Sequence, residues 1–323
     1  MYRDVRIRTW TRGVVASLSL LMAPVVLART PSDACQLARV AATDAMVHQP
    51  FQIVEGRIYV QATVNGSGPY RFAVDTGASG MGRLDASLVA LLGLQKHGEA
   101  TTSDGVSTAA VETTRVQSLA LGGLVHRDLE LITRGYNKRN SPEAAFHGIL
   151  GREFFGDGLL VIDYPRRILN FTQRLAISPS DQNALPYERA FRIPVSIGGH
   201  ALVAQLDTGA NVNLVLPQTV YEGISGVPLQ DAVRSQLTNG QLETWRATLH
   251  GPVRVGQANL EDVEIRVSAK FPEPLVGAEA LQQSVVLIDQ RSKTVAACRC
   301  IICLATRRNG ALPGKAEKDS NAP

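Results

Sequence analysis

The sequence predicts an all-β chain folded as two similar lobes. Three observations carry that prediction: an internal repeat, Asn-Gly and Gly-Gly turns set between apolar runs, and a composition rich in turn formers. Of 323 residues, 28 are glycine and 16 proline, 5% are aromatic and 45% hydrophobic. That apolar content excludes a globally disordered chain, and the glycines and prolines favour short strands over long helices.

The repeat decides the architecture, because two copies read as one irregular unit give the wrong fold. Copy one runs Ile58-Tyr59-Val60-Gln61-Ala62-Thr63-Val64, turns at Asn65-Gly66, and returns through Phe72-Ala73-Val74 to Asp75-Thr76-Gly77-Ala78-Ser79. Copy two runs Ile193-Pro194-Val195-Ser196-Ile197, turns at Gly198-Gly199, and returns through Ala204-Gln205-Leu206 to Asp207-Thr208-Gly209-Ala210-Asn211. Each is a hairpin that delivers an aspartate on a glycine-containing loop. The two aspartates lie 132 residues apart, and a second landmark, Ile149-Leu150-Gly151 and Leu275-Val276-Gly277, recurs at 126. A third, Leu160-Val161-Ile162-Asp163 and Val286-Leu287-Ile288-Asp289, is expected to be the strand that finishes each copy.

Between these landmarks each copy holds a polar hairpin, with the turns expected at Asp104-Gly105 and Asn239-Gly240. Short helices are expected over Leu84–Leu92, ended by Gly93, and Gln218–Ile224. These features set the lobes at 48–175 and 188–299. A linker over 176–187 carries Pro179, Asp181, Asn183 and Pro186, and a disordered tail is expected over 304–323.

The N-terminus reads differently. Arg3, Arg6, Arg8 and Arg12 precede an uncharged run from Gly13 to Ala28 that is short for a bilayer span, and Val26-Leu27-Ala28 suits a cleavage site. A signal peptide over 1–28 is expected, with an uncleaved anchor as the alternative. Its removal leaves no stable membrane span and places the protein outside the cytoplasm, periplasmic or secreted. Losing four arginines and one aspartate takes the formal charge from +4 to +1. No cluster of basic and aromatic residues remains, so nucleic acid is excluded as a partner. Cys35, Cys298, Cys300 and Cys303 would then meet an oxidising compartment; a staple from Cys35 to the terminal cluster is expected, without a fixed partner.

If the lobes pair about a pseudo-two-fold axis, the two acidic loops meet, and Asp75 and Asp207 come within reach of one water. Like charges so close cannot both ionise easily, so the pair holds one shared proton; one carboxylate acts as base and the other as acid. Neither a metal nor a cofactor is required. The Thr76 and Thr208 hydroxyls are placed to bond backbone across the axis, and Gly77 and Gly209 let backbone pass close beneath the carboxylates.

These two loops, with apolar residues just before each, resemble the active-site loops of pepsin-like and retropepsin-like aspartic proteases over roughly residues 50–298. The resemblance implies two pseudo-symmetric six-stranded β-barrels with a cleft between them and one catalytic aspartate per lobe. It makes the Gly151 and Gly277 landmarks supports behind the loops, and Asp104, Gly105, Asn239 and Gly240 substrate-binding flap tips over an extended peptide or unfolded protein. The expected enzyme is an exported aspartic endopeptidase, acting as a monomer; the alternative is a silent module that binds peptide or a protein partner in the same cleft. Two departures stand out. Both copies carry a flap without a tyrosine near its tip, and Ala78 and Ala210 replace hydroxyl residues that would stabilise an ionised aspartate, which points to activity at mildly acidic pH.

Other candidates are weaker. The six histidines, at 48, 97, 126, 147, 200 and 250, show no metal-ligand spacing, and Ser79 lacks the surroundings of a hydrolase nucleophile. Asp163 and Asp289 precede turns and read as structural. Trp245 lines the cleft or packs under the second flap.

Overall fold

A computed structural model describes residues 32–299 except 226 and 231. The expected signal peptide, Cys300, Cys303 and the 304–323 tail lie outside the described residues. Among those described, no helix is long and apolar enough to cross a membrane.

The hairpins form where their turn chemistry dictates. Asn65 and Gly66 adopt φ of 51° and 75°, and Gly198 and Gly199 adopt 57° and 86°. Positive φ at both central residues matches the twist of the flanking strands, which is why Asn-Gly and Gly-Gly occupy these places. The strands joined are Arg57–Val64 with Ser67–Val74, and Arg192–Ile197 with His200–Asp207.

Each lobe is built around one such hairpin. In the N-terminal lobe an eight-stranded sheet curls so that Arg57–Val64 also pairs with the long strand Thr108–Leu121. Six strands therefore run in a ring of pairings, and the short strand Gln52–Val54 and the flap strand Lys96–Ser103 lie outside it. The C-terminal lobe has a nine-stranded sheet in which Arg192–Ile197 pairs likewise with Val253–Val255. Alternation along Arg57–Val64, with Ile58, Val60, Ala62 and Val64 almost fully buried, sends one face of the strand into the core.

The third landmark departs from expectation. Its strands do not finish their own lobes; Leu159–Asp163 pairs antiparallel with Ser284–Asp289 in a separate six-stranded sheet shared by both. Val161 faces Leu287, its own repeat mate, while Leu160 faces Ile288 and Ile162 faces Val286. The pseudo-two-fold axis therefore passes through the Val161–Leu287 pair. Five consecutive buried residues in the first strand and six in the second explain the placement, since both faces of this sheet are covered.

The segment read as a linker is pinned to that same sheet. Leu185–Pro186 pairs with Val295 and Thr294, and the Ile177 amide donates to Asp289 Oδ2 at 3.1 Å. Asp289 and Asp163 serve as turn anchors, accepting from the Arg291 and Arg166 amides at 3.1 and 3.0 Å. The first helix starts at Ala86 rather than Leu84, because Gly82–Asp85 is a strand whose last residue caps the helix by accepting from the Ser87 amide at 3.0 Å. The second helix spans Gln218–Ile224.

Candidate active site

Asp75 follows the strand Ser67–Val74, and Asp207 ends its equivalent, His200–Asp207. Each strand is flanked by a parallel partner from the second landmark, Gly148–Leu150 in one lobe and Leu275–Gly277 in the other. The Asp75 amide donates to the Leu150 carbonyl at 3.0 Å, so the landmark strand fixes where the acidic loop leaves the sheet. Behind the loops, the Arg152 amide donates to Ala78 O at 3.0 Å and the Ala278 amide to Ala210 O at 2.8 Å. A Cβ on Gly151 would lie 2.3 Å from Gly80 O, and one on Gly277 2.2 Å from Val212 O. Backbone occupies that space, so only glycine fits at either landmark.

The two loops grip one another. The Thr76 amide donates to Thr208 Oγ1 at 3.1 Å, the Thr208 amide donates to Thr76 Oγ1 at 3.0 Å, and the Thr208 hydroxyl donates on to Val74 O at 3.0 Å. Both threonines are buried, so these bonds are shielded from competing water. Arg57 Nε adds a further link between the lobes, donating to Gly209 O at 3.1 Å.

The glycines work across the axis. A Cβ on Gly77 would sit 2.3 Å from Asp207 Oδ2, and one on Gly209 would sit 2.3 Å from Asp75 Cγ. Each carboxylate therefore rests on the other lobe's glycine, and a side chain at either place would displace it. Asp207 Oδ1 accepts from its own Gly209 amide at 2.8 Å, and Asp75 Oδ1 accepts from the Ala78 amide at 2.8 Å.

Burial pushes the Asp207 carboxyl up to about 7, and the Asp75 charge adds to the rise; the amides of Gly209 and Gly77 oppose it. The two side chains are within hydrogen-bonding reach of each other. Such a pair holds one proton between two oxygens over the pH range where free aspartates are ionised. The arrangement supplies a base and an acid to the same small space.

Both flap hairpins are present, Lys96–Ser103 with Thr108–Leu121 and Ala232–Gln236 with Gln241–Leu249. Their tips differ from the expectation by one residue. The Asp104 amide pairs with Ser107 O at 3.1 Å and the Leu237 amide with Gly240 O at 2.9 Å, so the turns centre on Gly105-Val106 and Thr238-Asn239. Gly105 takes the positive φ of 86° in the first turn, while neither Asn239 nor Gly240 adopts one.

The structure brings Asp104 and Asn239 together. The Asn239 amide donates to Asp104 Oδ2 at 2.7 Å, and its side-chain nitrogen donates to Thr102 O at 3.2 Å and Ser107 O at 2.9 Å. Arg134 donates to Asn239 Oδ1 at 2.6 Å. Burial pushes the Asp104 carboxyl up, but the amides of Ser107, Asn239 and Val106 outweigh it and hold the group below the usual aspartate range. The two flaps are therefore latched tip to tip. Replacing Asn239 with alanine keeps the main-chain bond and removes the other three; hydrogen exchange at residues 102–107 is expected to quicken by about tenfold. Unchanged exchange would show that the tips are held by something else.

Phe146 and Tyr136 were not singled out from the sequence. On the N-terminal side Tyr59, Ala73, Ala78, Phe146 and Ile149 form an apolar cluster separate from the main core, with Tyr136 packed against it. Tyr136 belongs to a short turn over Tyr136–Arg139, whose first two amides donate to Asp85 Oδ2 at 2.7 and 3.2 Å. Trp245 is partly buried in the second flap, its register partners being Ala232 and Val267.

A family model described as aspartyl protease matches residues 60–154 and 193–282, one segment in each lobe. No curated protein matches the chain. Each matched segment contains one Asp-Thr-Gly loop and its supporting glycine landmark, and together they cover more than half of the sequence. The chain belongs to the aspartyl protease family.

Proposed function

We propose that the protein is an exported aspartic endopeptidase, acting as a monomer on extended peptides or unfolded proteins through the Asp75/Asp207 dyad. The observation that carries this reading is the cross-axis geometry: each carboxylate lies on the opposite loop's glycine, within reach of the other carboxylate, on loops locked by reciprocal threonine bonds. The ionised member of the pair draws a proton from a water as that water attacks the peptide carbonyl. The protonated member donates its proton toward the developing oxyanion, and the pair is restored when the amine leaves.

A silent binding module needs the cleft but not the dyad. A partly buried pair of like charges weakens the fold once both ionise, so a module that only bound peptide would gain nothing from it. Export is supported by the arginine-led apolar N-terminus and by the Cys35–Cys298 disulfide, which persists in an oxidising compartment, periplasmic or extracellular.

The test is hydrolysis of a reduced, unfolded protein from about pH 3 to about pH 8, a range that brackets free and raised aspartates. Cleavage strongest at mildly acidic pH, blocked by a transition-state mimic of a peptide, is the expected result. Absence of cleavage together with absence of mimic binding would overturn the endopeptidase reading.

A further inference from the structure

The cleft face of the N-terminal lobe carries Arg83, a charged residue out of keeping with its apolar surroundings. Along Gly82–Asp85, Leu84 points into the main core, and a Cβ on Gly82 would meet Leu119 and the core side chain Leu131. Arg83 therefore stands on the opposite face, beside its register partner Ile149, in the layer that contains Ala73, Ala78 and Phe146. Ala78 is part of the Asp75 loop itself.

Arg83 is 5% exposed. Its Nε is fully enclosed without a partner, and so is the hydroxyl of Tyr136. Among the described residues no carboxylate comes within 4.0 Å of the Arg83 guanidinium. Burial raises the Tyr136 phenol, the Arg83 side chain lowers it through its charge and its hydrogen-bonding reach, Arg134 lowers it further, and the Asp75 charge pushes it up again.

A buried guanidinium without a counter-ion is costly, and unsatisfied buried groups are kept where a ligand completes them. The other lobe makes the contrast. Its residue in register with Arg83 is Val215, and the cation beside Val215, Arg266, is 3.2 Å from Glu264, with Glu279 lining the same cavity of about 300 Å³. The cation on that side has a carboxylate partner, and Arg83 has none.

We propose that Arg83, with the Tyr136 hydroxyl beside it, determines specificity for a substrate side chain bearing a carboxylate, aspartate or glutamate, bound on the N-terminal-lobe side of the dyad. The planar guanidinium and the phenol supply donors that a carboxylate satisfies together and an amide satisfies only in part. The proposal rests on the endopeptidase reading for its substrate but not for its test.

The experiment uses peptide pairs that differ only in Glu against Gln at each position flanking the scissile bond. Cleavage at pH about 6, where a peptide glutamate is ionised, is compared for the wild type, Arg83→Met and the exposed control Arg115→Met. At one position the wild type and the control are expected to favour Glu by roughly 10- to 100-fold in kcat/KM, and Arg83→Met to bring the ratio to about one. Arg83→Met is also expected to melt no lower than the wild type, because it removes an uncompensated buried charge, whereas a structural arginine would lower the midpoint. Should that variant not fold, Arg83→Lys, which keeps the charge without the fork, lowers the ratio instead. Equal cleavage of both peptides, or a preference that survives Arg83→Met, overturns the proposal while leaving the endopeptidase reading intact. If nothing is cut, calorimetric binding of the same pairs decides: a Glu preference lost in Arg83→Met upholds the subsite without the enzyme, and equal or absent binding removes it.

Discussion

Replacing either Asp75 or Asp207 with asparagine is expected to lower hydrolysis of an unfolded protein by about a thousandfold or more, because each substitution removes one half of a single acid–base unit. The double variant should be no worse than the worse single one, since the two groups share one proton and one water. The same substitutions carry a signature in stability. Asp207 is pushed up to about 7 by burial and by the Asp75 charge, so the folded protein holds its proton more tightly than the unfolded chain does. Stability is then lost as pH rises from the free aspartate value of about 4 toward 7, and is level above that. Asp207→Asn cannot ionise, so its melting midpoint should exceed that of the wild type at pH about 8 and approach it near pH 4. Activity follows the same group in the same sense, lasting while the pair keeps its proton and falling as pH passes 7. A variant that loses activity while showing no altered pH dependence of melting would mean that Asp207 is not the raised member of the pair.

What the sequence made legible is what is encoded locally. Asn65-Gly66 and Gly198-Gly199 state their turns outright, and Asp-Thr-Gly repeated in register with an apolar-apolar-Gly landmark states that two loops meet. The third landmark was misplaced for a physical reason. Leu160-Val161-Ile162 and Val286-Leu287-Ile288 are apolar on both faces, and such a strand suits any fully covered sheet; which neighbour it takes depends on contacts more than 120 residues away. The first flap turn slipped by one residue because Asp104 uses its carboxylate to accept the Val106 and Ser107 amides, a side-chain interaction that overrides the Asp-Gly preference. Arg83 was legible only in comparison. Laid over the second copy it falls on Val215, and a charge where the repeat has valine marks a place where the two halves of the cleft differ. Tyr136 and Phe146 carried no such signal, since the segment holding them has no counterpart of similar sequence in copy two.

Reducing the Cys35–Cys298 bond is expected to lower stability by about 5 kcal/mol in the chain-entropy picture, because it opens a loop spanning 263 residues. The sequence left the partner of Cys35 open among three cysteines; the fold selects Cys298 because Thr294–Arg299 lies in the shared sheet, paired with Ser284–Asp289. Around the bond a second small core gathers Ala34 and Ala41 from the N-terminal segment with Leu159, Val161, Val285, Leu287 and Ala296 from that sheet. The bond thus ties the first described residues to the sheet that joins the lobes. Thermal melting with and without reductant should therefore show a drop of roughly 10 °C, while hydrolysis at low temperature persists. The clean variant is Cys35→Ala with Cys298→Ala, since Cys298→Ala alone leaves Cys300 and Cys303 to compete for Cys35. A melting midpoint unmoved by reduction would mean that the unfolded chain is already confined, or that burial of the N-terminal segment against the shared sheet suffices without the bond. Loss of hydrolysis before any loss of fold would mean instead that the shared sheet transmits its strain to the dyad, through the axis that passes between Val161 and Leu287.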